Sequence, residues 1–169
     1  MLVYHPAYDL YNCIFRMLAL LSYTKDDNMP FDKLRIWDFY LTFPNEVREI
    51  AFPSGLRALK EKIFKDKENP YEELSDPKRV FEKMRPFQSS AIKCLSVYGF
   101  INSKALVKNR IQKTTKEIPS ELKEQIGKIS IEKNNVIKLV TSDFVNLPLF
   151  GERGLKARTG LIDFKYDPS

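Results

Sequence analysis

Apolar residues recur at spacings of three and four through Leu10, Ile14, Met17, Leu18 and Leu21. This period predicts an amphipathic helix over about Ala7 to Tyr23, its inner face widened by Tyr11 and Phe15. The polar run Lys25 to Pro30 reads as a loop. The next segment, Phe31 to Phe43, is patterned differently. On a helical wheel Leu34, Ile36, Trp37, Phe39, Tyr40, Leu41 and Phe43 cover most of the circumference, while Arg35, Asp38 and Thr42 share one narrow strip. Lys33 falls on the apolar side in the first turn, where its stem can lead the charge outward. Asp32 reads as the cap and Pro44 as the stop. A helix that is apolar nearly all round is buried on more than one side. It is either the central helix of a small domain or a helix that also docks a partner, with Trp37, Tyr40 and Phe43 as candidates for core or interface.

Further along, Asn45 to Ile50 suggests a short helical turn. Ser54 reads as the cap of a third helix, with Leu56, Leu59 and Ile63 inward. Lys65 to Ser75 is charged and contains a proline, as a linker would. Asp76-Pro77 is a good helix start. That helix carries Val80, Phe81 and Met84 and is expected to break near Pro86, before a further helix over about Phe87 to Tyr98. Gly99 is placed as the left-handed residue after it, followed by Phe100-Ile101 as an extended pair. Asn102 to Thr115 is basic, with Lys108-Asn109 as a hairpin turn. Pro119 opens a helix with Leu122, Ile126 and Ile129 inward. Asn135 to Val140 is a helical turn or a strand. Leu161 to Asp167 alternates as a half-exposed strand does.

The order of helix Gln88 to Tyr98, then Gly99-Phe-Ile, then a basic hairpin resembles the recognition helix and wing of winged-helix proteins. The fold class expected is mainly α with small β elements. A winged-helix-like domain would span residues 1–115, with a C-terminal helix and strand extension over 116–169 packed on it, or the two would form a single domain. In a DNA-reading version, Gln88, Ser89, Ser90 and Lys93 would enter the major groove. Lys104, Lys108, Arg110 and Lys113 would meet phosphates. The same domains also dock proteins, so these residues are candidates for DNA or partner contact. Arg153, Lys156 and Arg158, between Gly151 and Gly160, join them as anion or partner contacts.

Composition narrows the chemistry. The chain has 169 residues, 43% hydrophobic and 30% charged, which is globular rather than disordered. Its net charge of +6 favours an anionic counterpart, either nucleic acid or an acidic protein face. Runs such as Met17 to Tyr23 are too short to span a bilayer, and the N-terminus lacks the pattern of a signal peptide. A cytoplasmic protein without membrane contact is expected. Cys13 and Cys94 are the only cysteines and His5 the only histidine. A Cys/His metal site is thereby excluded, and both cysteines read as buried thiols. His5 precedes Pro6, where capping or packing suits it. Gly151, Gly154 and Gly160 lack the Gly-Lys-Ser/Thr of a phosphate loop. Asp163 and Lys165 are the nearest approach to a nuclease site, and two residues do not make one. The expectation is a protein that is not an enzyme and carries no cofactor.

Three stretches resemble a known family: His5 to Tyr11 leading into Ile14 to Leu18, Phe31 to Pro44, and Gly151 to Asp167. They are similar to the middle component of three-component ABC-ATPase systems of bacteria, a group that includes Lamassu-type anti-phage defence. The resemblance implies an adaptor without an active site, docked on an SMC/Rad50-like ATPase and holding or releasing an effector, often a nuclease. A free-standing winged-helix transcription regulator remains the alternative.

Overall fold

The computed structural model describes residues 5–63 and 74–164. His5 accepts a hydrogen bond from the Ala7 amide through Nδ1 at 3.0 Å and opens a 3-10 turn, Pro6–Tyr8. Asp9 then caps α1, Leu10–Tyr23, by accepting from the Asn12 amide at 2.8 Å. The single helix expected from Ala7 is therefore a turn and a helix with separate caps. A short strand β1, Asn28–Pro30, leads directly into α2, Phe31–Thr42. Asp32 is not its cap. Pro30 holds that position without a side-chain bond, and Asp32 lies in the first turn. A 3-10 turn, Pro44–Glu49, follows.

Ser54 likewise caps nothing by its side chain and opens a 3-10 turn before α3, Arg57–Ile63. The expected linker falls mostly outside the described residues. Asp76 does cap α4, accepting from the Arg79 amide at 3.2 Å. α4 runs unbroken over Pro77–Val97 with Pro86 inside it. Proline removes one helical bond, to the carbonyl of Glu82. Pro86 and Glu82 are both exposed, so water can satisfy that carbonyl and the helix continues. Gly99 takes φ of 83°, as the chain reversal requires.

The basic segment is not a bare hairpin. Asn102 Oδ1 accepts from the amides of Lys104 and Ala105 and starts a short helix, α5, Ser103–Val107. Asn109, at φ of 55°, then turns the chain into β2, Arg110–Gln112. An asparagine cap before Ser-Lys-Ala-Leu-Val favours helix over strand here. β2 pairs antiparallel with β1, setting Met29 opposite Ile111, both buried. On its other side it meets the Phe100–Asn102 segment through an antiparallel bridge between Ile101 and Lys113.

The chain ends in α6, Ser120–Glu132, then α7, Asn134–Lys138, which runs into a π-helical turn, Leu139–Asp143, and finally α8, Leu155–Thr159. Asn135 to Val140 is thus helical. Gly160, at φ of 67°, closes α8. Residues 161–164 form no strand: Leu161 is buried, while Asp163 turns out to bond Lys78 at 2.8 Å. The expected alternation is not seen in burial, since Asp163 and Phe164 are both exposed; residues 165–167 lie outside the described residues. The protein is mainly α with a small antiparallel sheet.

α2 sits at the centre, against α1, α4 and α7, and α1 also packs on α4 and α6. Trp37 is fully buried, Tyr40 nearly so, and Phe43 is half-buried with its ring stacked on His5 at 5.3 Å. All three therefore pack within this chain. Lys33 does not reach outward: it is buried, and Nζ donates to the Val145 carbonyl at 2.6 Å. Burial lowers its pKa, an effect opposed by nearby Asp26.

Candidate partner interface

The polar strip of α2 faces inward. Asp38 is 0% exposed. Its Oδ1 accepts from Arg16 Nε at 2.6 Å and its Oδ2 from Arg16 Nη2 at 3.3 Å. The remaining Arg16 donor, Nη1, reaches the Pro6 carbonyl at 2.9 Å. Gln88, also 0% exposed, donates through Nε2 to Asp38 Oδ2 at 2.9 Å and to the Arg35 carbonyl at 3.2 Å. Arg35 Nε returns a bond to Gln88 Oε1 at 2.9 Å. Arg35 Nη1 then donates to Asp32 Oδ1 at 2.8 Å, and its guanidinium lies 4.4 Å from the centre of the Phe81 ring.

Charges buried this deeply persist only when paired and hydrogen-bonded. The pKa shifts follow that logic. Burial pushes Arg16 down, but Asp38 outweighs it and the net shift is upward. Burial lowers Arg35, with Asp32 opposing and the charge of Arg85 adding to the fall. Burial first, and Asp38 second, drive the Cys13 thiol well up. Cys94 is only half-buried.

This network surfaces at a cleft of about 350 Å³. Arg35 and Asp32 form part of its wall, with Arg85 from α4 and Lys108, Asn109 and Arg110 from the turn into β2. Pro30, Phe31, Leu149 and Phe150 supply apolar lining. Phe150 is 41% exposed, and Lys156 Nζ stands 4.7 Å from its ring centre. Cation and aromatic face attract each other in that arrangement.

The sequence candidates divide accordingly. Lys108 and Arg110 line the cleft, while Lys156 is outside its lining and touches it through the Phe150 ring. Arg110 is held by Asn28, donating to its Oδ1 at 2.7 Å and its carbonyl at 3.0 Å. Ser89 is half-buried; Lys93, Lys104 and Arg153 are exposed and outside the cleft lining. Arg158 donates to the carbonyls of Arg153 and Ala51, at 2.6 and 2.8 Å, and so fastens the C-terminal loop to the chain before α3. Gln88 cannot enter a groove of DNA, because Arg35 and Asp38 hold it in the interior. Sequence reasoning missed Arg35, Arg85 and Phe150 as lining residues. Arg35 had one visible signal, its place on the narrow polar strip.

Among the described residues no group of three His, Cys, Asp or Glu side chains could hold a metal ion, and no helix is long and apolar enough to cross a membrane. The family described as ABC-three component (ABC-3C) system Middle Component 5 matches residues 2–167. The chain belongs to this family. An ABC-3C middle component is one part of a multi-protein system, which gives a surface of converging cations and exposed aromatic carbon a context of partner proteins. No curated protein and no solved structure matches the chain.

Proposed function

We propose that this ABC-3C middle component is a non-catalytic adaptor. It links an SMC/Rad50-like ABC ATPase to an effector, often a nuclease, in bacterial anti-phage defence of the Lamassu type, within the cytoplasm. Membership of the middle-component family over nearly the whole chain carries this reading. The interior supports it: Arg16, Asp38, Arg35 and Gln88 bond to one another and fasten α1, α2 and α4 into a rigid support. The test is affinity capture. The tagged chain, co-expressed with the products of its neighbouring genes, should retain both an ATPase and an effector. A monodisperse monomer that retains neither would overturn the proposal.

A second reading adds DNA contact. It is supported by a likeness to winged-helix order: α1, β1, α2 and α4 follow one another with α3 inserted, and after α5 comes β2, which lies between β1 and the Phe100–Asn102 segment. On this reading residues 1–115 form that part and 116–169 an extension joined to it where α6 meets α1. Lys93 on α4 and Lys104 and Lys108 around α5 would then meet phosphates. Binding to a DNA duplex that falls steeply with salt supports it; no binding at low salt removes it.

A further inference from the structure

The cleft between α2, α4, the α5–β2 turn and Phe150 draws its floor from the buried network through Arg35, while Arg85 and Lys108 on its rim are exposed. Arg35 and Arg85 approach closely enough for the Arg85 charge to depress Arg35, and Lys108 and Arg110 face the same space. Like charges gathered in a concave site raise the local potential and favour an anionic occupant. Asp32 already engages one Arg35 donor, which leaves the cleft with a net excess of cations.

We propose that this cleft is the docking point for an acidic segment of a partner protein in the complex. Carboxylates of that segment would meet Arg85 and Lys108, while apolar side chains beside them pack on Phe31 and Phe150. Three observations favour a protein segment over nucleic acid. The space is a concavity of about 350 Å³, the size of a few side chains rather than of a duplex backbone. Its lining combines cations with aromatic and aliphatic carbon, the mixture of arginine and aromatic anchors that protein interfaces favour. The carboxylate of Asp32 within the lining would repel a continuous run of phosphates but tolerates discrete carboxylates placed away from it. The contact of Lys156 with the Phe150 ring favours that aromatic wall.

This docking point presupposes the adaptor role, and one experiment lets the two fail separately. The tagged full-length chain and its Arg85→Glu/Lys108→Glu variant are each co-expressed with the neighbouring ATPase and effector. A Lys123→Glu/Lys128→Glu variant, reversed at exposed positions of α6, controls for net charge. Both variants should melt as the parent does, since none of the four side chains is buried. The cleft variant should lose capture of one partner by about tenfold or more, as removal of paired interfacial charges does, while the α6 variant captures normally. Should the cleft reversal unfold the chain, Arg85→Ala/Lys108→Ala replaces it and should weaken capture in the same direction. Equal capture by parent and cleft variant overturns the docking point and leaves the adaptor role intact. Failure of the parent itself to capture overturns both. If the cleft variant keeps its partners but loses binding to a short fluorescein-labelled DNA duplex that the parent binds, the occupant is nucleic acid and the proposal is wrong.

Discussion

Arg16 on α1 and Asp38 on α2 meet at 2.6 Å in an interior where the carboxylate has no contact with solvent. The pair turns the polar strip of the central helix into an internal fastening. Gln88 extends it to α4, and Arg35 carries it out to the cleft wall.

Removing one partner should be severe. Asp38→Ala leaves the Arg16 guanidinium buried without its anion and should cost about 3–5 kcal/mol by urea denaturation. Arg16→Met/Asp38→Leu, which replaces both charges by apolar groups, should be less damaging than Asp38→Ala alone. A double variant as unstable as the sum of the single ones would show that the two residues are not energetically coupled.

Trp37→Ala should also cost about 3–5 kcal/mol, because the ring is fully enclosed. Its Nε1 finds no hydrogen-bond partner among the described residues. Trp37→Phe removes that unpaired donor with part of the ring and should cost clearly less. Thermal unfolding of the isolated chain measures both; an unchanged midpoint for Trp37→Ala would place the ring outside the core.

Gly154 and Gly127 should respond in opposite directions to alanine. A Cβ at Gly154 would lie 2.2 Å from the Phe150 carbonyl oxygen, and backbone atoms cannot give way cheaply. The variant should destabilise the chain and shift Phe150. At Gly127, inside α6, a Cβ meets nothing within 4 Å. There alanine should stabilise by about 0.5–1 kcal/mol. Denaturation midpoints for the two variants on opposite sides of the parent would confirm the contrast.

Stability should fall modestly on mild acidification. Burial, then the charge of Arg16, lowers the His5 pKa below 6.5, and Nδ1 must be unprotonated to accept from the Ala7 amide. The unfolded chain therefore binds the proton first as pH falls below about 6.5. The contribution is complete above that pH and declines as pH drops through the lower folded value. His5→Asn, which retains a cap acceptor without titrating there, should flatten this part of the profile. An identical profile in the variant would assign the loss to other groups.

The central helix was legible in the sequence because its apolar residues follow the helical period and Pro44 marks its end. The start of α4 at Asp76-Pro77 and the reversal at Gly99 were legible for the same local reasons. What the strip of Arg35 and Asp38 does was not, since its partners Arg16 and Gln88 stand 22 and 50 residues from Asp38 along the chain. Gln88-Ser-Ser reads as a polar face whichever way it turns, and only the position of α2 decides that Gln88 is internal. The basic trio divided likewise: Lys156 turns inward onto Phe150, and Arg158 ties down the backbone of Ala51. The cleft joins pieces from four parts of the chain, none of which carries a motif for it.

The adaptor role is tested most directly by whether this chain bridges the other two components. Purified ATPase and effector from the neighbouring genes are mixed with and without it and passed through size exclusion with light scattering. The effector should travel with the ATPase only when this chain is present, in one peak containing all three. Co-elution of ATPase and effector without it, or their separation in its presence, would rule out the bridging role.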